Sequence, residues 1–434
     1  MVNFAYDVVH DGICWQKVGR ADFFRTKGLT KLSQLVPESR LQHYFEDVNV
    51  LTVDESLDSN ISFVYEFCPD PAIVPTDGPD WLNDVEQYWC KLFTDKRFVS
   101  AINDGRCKFV INDSFEGDSW TIEAMRLLVR SLWKWDVEDM ENIFVVTASE
   151  SYSHVENAPF NLVYFQCSES LMREMVDEGQ IKPRKKDAKK FLCINNWNKK
   201  ERFYFGFRCW QEGILDQFNF SHGEVRGPSS FAYEMNLGPS GEEIGLAWAA
   251  NRNGRKCLVP FAWTDAMQAF ADTTPYVYDR KIEEKFETNQ WFRIDHNHRE
   301  DNLLYIVTES CFDNFIPPSI LSHQALSPNR DVSEKTWKPI AMKMPFIMVG
   351  QPFTLRRLRD IGYRTFYSLW DESYDDIVDA QTRMEKIVEV VVGLSKRDDF
   401  VNLIEACNDI VEHNFRMLKL RRPEQEVVSK LSPK

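Results

Sequence analysis

Short, unbroken apolar runs alternate along this chain with stretches whose apolar residues recur at helical spacing. ISFVYEF (61–67), KFVIND (108–113), IFVVTA (143–148) and NLVYFQ (161–166) have the length and the β-branched and aromatic content of strands covered on both faces. Between the second and third of these, 120–133 carries Ile122, Met125, Leu128, Val129 and Leu132 on one face of a helix. The alternation resumes with a strand at FLCIN (191–195), a helix over 202–214 stopped at Gly213, and a strand at LLYIVT (303–308). A helix then opens near Ser333, followed by a strand at PFIMVG (345–350), a helix at FTLRRLRDI (353–361) stopped by Gly362, and YRTF (363–366). Two amphipathic helices follow. Met384, Ile387, Val388, Val391 and Leu394 mark the first, and Phe400, Leu403, Ile404, Cys407, Ile410 and Val411 the second. The stretch 218–300 shows no regular pattern and is assigned no elements.

Strand, helix, strand in that order predicts βαβ units with largely parallel sheets, hence an α/β protein. The sharpest change in composition falls at 181–190, where Lys182, Arg184, Lys185, Lys186, Lys189 and Lys190 stand against Asp187 alone. It reads as a solvated basic linker, or as a basic patch beside a polyanion. It divides an N-terminal α/β domain (1–180) from a C-terminal one (191–370), with helices and a basic, frayed tail over 371–434. Two such domains form a cleft. Ligands of open α/β sheets bind outside the carboxyl ends of the strands, so residues just after predicted strands are the candidates for function.

Composition narrows the classes. With 434 residues, 43% of them hydrophobic, and 31 Phe, 14 Tyr and 13 Trp, the chain has ample apolar area for cores and is not disordered. Its net charge of −15 argues against coating nucleic acid or an anionic membrane through bulk charge. No apolar run approaches the ~20 residues of a membrane span, and MVNFAYDVVHDG lacks the pattern of a secretory signal. A soluble, cytoplasmic protein is expected. The ten cysteines are dispersed without a CxxC pair, as buried hydrophobes of a reducing compartment would be.

Two segments could carry chemistry. The first is LLYIVTES (303–310) with VSEKTWKPIAMKMPFIMVGQP (332–352). Ser333 is a good N-cap, which places Glu334 and Lys335 in the first helical turn. Free N–H groups, the helix dipole and the Lys335 ammonium would favour a phosphate there, and Glu334 would pair with a ribose hydroxyl. A capped surface helix fits the same pattern. Pro339 should kink that helix or end its first segment.

The second segment is INDSFEGDSW (111–120), with Asp113, Glu116 and Asp118 between a predicted strand and helix. It is either an acidic capping loop or the place of a general base, for which Glu116 and then Asp113 are the candidates. The remaining signals are weaker. His296 and His298 read as a polar loop rather than a metal site. Asp279 follows a possible strand, and DESYDD (371–376) reads as a solvated helix start. Trp133, Trp135, Trp197 and Trp337 could stack on a sugar or base but fit the core as well. Walker, GxGxxG and GxSxG signatures are missing, which leaves NTP hydrolysis, dinucleotide redox and esterase chemistry without support.

On these residues the chain resembles the α-1,3-fucosyltransferase family of glycosyltransferases. The family's F-x-x-x-x-E-N-S, Y-x-T-E-K-x-x-x-A and V-P-V-V-x-G segments are similar to 305–310, to Ser333, Glu334 and Lys335, and to 345–350. FLCINNWNKKERFYF (191–205) is similar to the family's strand-Asn-Pro-loop-Arg segment, with Asn195 after the strand and Arg202 opening the helix. The chain also resembles uncharacterised glycosyltransferase-like proteins of phages and marine microbes. It departs from the family at Glu309, where the pattern has Asn, and at Ser333, where it has Thr.

The resemblance implies two Rossmann-like domains facing a cleft, the GT-B arrangement, with the C-terminal helices packed back across the interface. It implies an inverting, metal-independent transfer of a sugar from a nucleoside-diphosphate donor to a glycan or other hydroxyl acceptor, with no further cofactor. Asn195, Arg202, Glu309, Ser333, Glu334 and Lys335 would then bind the donor, Arg202 and Lys335 at the diphosphate and Glu334 at the ribose. Two other readings stay open: a non-enzymatic glycan-binding or virion-associated relative, and a DNA-modifying glycosyltransferase using the basic stretches.

Overall fold

The apolar runs become strands, and every pairing between them is parallel. The computed structural model describes residues 1–6, 41–67, 93–113, 132–148, 160–195, 199–227, 230, 263–278, 294–309, 312 and 332–432, and all that follows concerns these. They fall into two compact units, Met1–Ser170 with Arg422–Lys434, and Leu171–Ala249 with Arg255–Arg421. This is a mixed α/β protein with one parallel sheet in each unit, of six and four strands.

In the first unit the order along the chain is β1 (Val2–Tyr6), β2 (Val48–Thr52), α1 (Val53–Asp58), β3 (Phe63–Phe67), α2 (Lys96–Asn103), β4 (Cys107–Asp113), β5 (Ile143–Thr147), β6 (Asn161–Tyr164) and α3 (Cys167–Met175), at whose fourth residue the division falls. The strands lie in the order β2-β1-β3-β4-β5-β6. Every residue of β3 and β5 is buried, as continuous apolar runs require, whereas the edge strands β2 and β6 are only half-covered. Tyr65 of β3 stacks on Phe109 of β4, centroids 5.6 Å apart, and Phe98 of α2 closes edge-on against Tyr65. Local chemistry fixes the helix starts. Thr52 and Glu55 form a reciprocal capping box for α1, and the Asp95 carboxylate takes the N–H of Arg97 at α2.

The second unit continues with β7 (Lys189–Asn195), α4 (Lys200–Gln211), β8 (Phe218–His222), α5 (Asp265–Ala271), α6 (Asn297–Asp301), β9 (Asn302–Thr308), α7 (Glu334–Ala341), β10 (Phe346–Val349), α8 (Thr354–Asp360), α9 (Ala380–Ser395), α10 (Phe400–Ala406) and α11 (Asn408–Leu420). Its sheet order is β10-β9-β7-β8. Residues 201–207 of α4 are all buried. Gly206 allows that close approach, since a Cβ there would stand 2.7 Å from Cζ of Phe220 in β8. Left-handed Gly213 and Gly362 stop α4 and α8 where predicted.

Several expectations need correction. β8 lies within the stretch that showed no pattern. The last predicted helix is divided at Cys407 into α10 and α11. Pro339 sits inside α7, which runs two residues past it. The basic tail is not frayed: Glu424–Leu431 forms α12, which belongs to the first unit, with Val427 and Leu431 buried. There Glu424 accepts from the Ser170 hydroxyl at 2.9 Å, and Lys108 donates to the carbonyls of Lys430 and Ser432. The acid run 371–376 is not a solvated turn either, because Glu372 and Asp375 are buried. The predicted helix over 120–133 lies outside the described residues except for 132 and 133. Of the basic stretch, Lys182 pairs with Glu300 at 3.3 Å and Lys185 with Asp301 at 2.7 Å, within the second unit.

Candidate functional site at the carboxyl edge of the four-stranded sheet

Parallel pairing in register brings the four strand ends of the second unit level. Asn195 of β7 stands beside His222 of β8, and Thr308 of β9 beside Val349 of β10. Asn195 is fully buried, and its Oδ1 accepts from the Thr308 hydroxyl at 2.6 Å. Arg202, the third residue of α4, is 2% exposed and reaches over the same edge. Its Nη2 donates to the carbonyls of Thr308 at 3.3 Å and Glu309 at 3.1 Å. Among the described residues no carboxylate pairs with it, and its buried Nε–H has no acceptor. A charge fixed by carbonyls alone is a costly arrangement unless something else approaches it.

His222 feels that charge. Burial pushes its pKa down to about 4, the Gly223 carbonyl works the other way, and Arg202 lowers it further. Its ring is therefore neutral at ordinary pH. Nδ1 lies 2.9 Å from the Gly223 carbonyl, which can only accept, so the proton sits on Nδ1. Nε2 is left as a bare, buried acceptor without a partner among the described residues.

Just after β9, Glu309 organises the start of α7. Its carboxylate takes the N–H of Ser333 at 3.1 Å, the Ser333 hydroxyl at 2.6 Å and the Thr336 hydroxyl. Ser333 Oγ in turn accepts from the N–H of Lys335, the capping role its position predicts. Lys335 Nζ reaches Glu334 at 2.9 Å and Ser333 Oγ at 3.2 Å. Burial raises the pKa of Glu334, but Lys335 and Lys338 outweigh it and hold it at about 2, so this carboxylate is ionised.

Asn195, Arg202, Glu309, Ser333, Glu334 and Lys335 thus form one connected network on a single sheet edge. Of the two candidate bases, Asp113 belongs to the first unit. Asp113 closes β4, in register with Thr147, at the carboxyl edge of the six-stranded sheet. Glu116 lies outside the described residues, as do Asp118, Trp197 and Asp279. Trp337 is core, packed 5.3 Å from Tyr363, and Trp135 packs against the core of the first unit, whereas Trp133 is exposed. His298 is buried in α6 against Tyr278, and no cluster of metal-ligating side chains occurs among the described residues.

The sequence did not single out Glu66, His222 or Gln351. Glu66 betrays itself only as a charged residue in an otherwise apolar strand. It is fully buried, accepting from Asn112 at 2.6 Å and from the N–H of Leu41. Gln351 follows β10 and is 2% exposed, with neither amide atom partnered among the described residues. Comparison with protein-family models, curated proteins and solved structures finds no match to this chain.

Proposed function

We propose that the protein is a GT-B-type glycosyltransferase whose four-stranded unit binds a nucleoside-diphosphate sugar. The observation that carries this reading is the Arg202 guanidinium, held by two carbonyls at the carboxyl edge of a parallel sheet and lacking a carboxylate among the described residues. An anionic ligand is the partner such a group lacks. Lys335 and the first turn of α7 supply a second positive element on the same edge. The ammonium would exchange Glu334 for a phosphate oxygen, which frees the ionised Glu334 to accept from ribose hydroxyls. The pairing of Lys182 and Lys185 with acidic residues favours a small anion over a polyanion laid along the basic stretch.

In the reaction, the acceptor hydroxyl gives its proton to a carboxylate as its oxygen attacks the anomeric carbon. Glu116 and Asp113 are the candidate bases. The bond from the anomeric carbon to the diphosphate breaks, and the leaving oxygen carries away the electron pair. Arg202 and Lys335 stabilise the charge that develops there. Thermal unfolding with GDP, UDP, ADP and CMP sugars tests the reading. Saturation at a hundred times Kd adds about 2.7 kcal/mol, and Arg202→Ala or Lys335→Ala should abolish the shift. If none of these ligands stabilises the protein, the reading is wrong.

A further inference from the structure

We propose that Gln351 reads the hydrogen-bonding edge of a nucleobase, so that the ligand of this sheet edge is a nucleotide rather than a bare phosphate or a sugar phosphate. The inference rests on the donor-site reading above and extends it to the end of the ligand remote from the chemistry. Gln351 continues the edge from the carboxylate that organises α7: a Cβ at neighbouring Gly350 would stand 3.5 Å from Cβ of Glu309. Its backbone is held on both sides. The Gly350 carbonyl accepts from buried Arg383 Nε at 3.1 Å, and the Gln351 carbonyl accepts from the Thr354 hydroxyl at 2.8 Å. The side chain is 98% buried, yet Oε1 and Nε2 both lack partners among the described residues. A buried primary amide with both functions unmet is expensive to retain, and the cost vanishes when a planar group presents one donor beside one acceptor.

The neighbouring helix start favours a neutral group over an anion. The N–H groups of Leu355 and Arg356 at the start of α8 are already taken by the Asp375 carboxylate, each at 2.8 Å. A phosphate beside Gln351 would meet that internal anion instead of free N–H groups. A nucleobase edge carries adjacent donor and acceptor atoms and no charge. An amide reads it in either orientation by rotating half a turn, so Gln351 selects for the presence of a base and not for one base.

Titration calorimetry of the full chain with inorganic pyrophosphate, glucose 1-phosphate, UDP, GDP and ADP tests this. Nucleoside diphosphates should bind at least tenfold tighter than pyrophosphate or the sugar phosphate. Gln351→Met should remove that advantage while leaving pyrophosphate affinity unchanged, which also reports that the variant is folded. Gln351→Glu, which can only accept, should shift preference about tenfold towards GDP, because guanine presents two adjacent donors. The inference is overturned if wild-type protein binds pyrophosphate and nucleoside diphosphates equally, or if Gln351→Met keeps their ratio while sugar nucleotides still bind. It is overturned together with the donor-site reading if no phosphate ligand binds at all. If nucleotide binding depends on Gln351 but no sugar nucleotide is consumed with any acceptor, the inference stands and the transferase reading falls.

Discussion

At the carboxyl edge of the six-stranded sheet the buried carboxylate of Glu66 takes the Asn112 amide and the N–H of Leu41. At the corresponding edge of the four-stranded sheet, Arg202 Nε, His222 Nε2 and the Gln351 amide are equally buried and have no partners among the described residues. Each is the carboxyl edge of a parallel sheet, and each holds deeply buried polar groups. What separates them is that Glu66 and Asn112 bond each other, whereas Arg202 Nε, His222 Nε2 and the Gln351 amide do not bond among themselves. An edge that is complete without a ligand is structural, whereas an incomplete one is prepared for something that arrives later.

The largest test of that contrast is Glu66→Ala. It strips the partner from the buried Asn112 amide and the N–H of Leu41, each worth about 1–3 kcal/mol when left unmet, and should lower stability by about 2–4 kcal/mol in urea unfolding. A loss below about 1 kcal/mol would mean that these bonds do not hold the first edge together. Next comes Glu372, a buried carboxylate of the second unit that accepts the N–H of Phe366. Burial raises its pKa to about 7, against the favourable hydrogen bonds from Thr365 and Phe366 and the attraction of Arg359. The folded protein therefore holds a proton that the unfolded chain releases near its ordinary value. This contribution is full below about pH 4.5 and declines as pH rises through 7, by about 3 kcal/mol in all. Glu372→Gln should flatten that part of the stability profile between pH 5 and 8, and an unchanged slope would place the titration elsewhere.

The smallest effects on stability belong to the open edge. Arg202→Met and His222→Phe each remove a buried group that is incompletely satisfied, so chemical denaturation should register a change within about 1 kcal/mol. Ligand-induced stabilisation should nevertheless disappear with Arg202→Met. A large stability loss in either variant, with ligand binding intact, would make the two edges alike and end the comparison.

The sequence pattern made much of this legible, and for physical reasons. Continuous apolar runs such as IFVVTA announce strands covered on both faces, and Ser333 announces a helix start because few residue types cap well. VNVLT and FNFSH went unrecognised because polar residues interrupt them, and only pairing with neighbouring strands shows them to be β2 and β8. The acid run 371–376 was misread for a related reason. Its charges suggest solvent, but Asp375 finds the open N–H groups of α8, whose own N-cap position holds left-handed Phe353 and offers no capping side chain. His222 and Gln351 carry no signal in the sequence at all, because what marks them is the lack of a partner, a property of three dimensions.

Helix α12 completes the first unit, although the ribosome makes it after the second. At cellular elongation rates the roughly 250 residues between Ser170 and Arg422 take about 12–50 s to emerge. For that interval the six-stranded unit lacks the segment that carries the buried side chains of Val427 and Leu431 and to which Lys108 and Ser170 bond. The nascent chain therefore passes through a half-finished state whose exposed apolar surface invites chaperones. Premature termination anywhere in the second half would leave the first half incomplete as well.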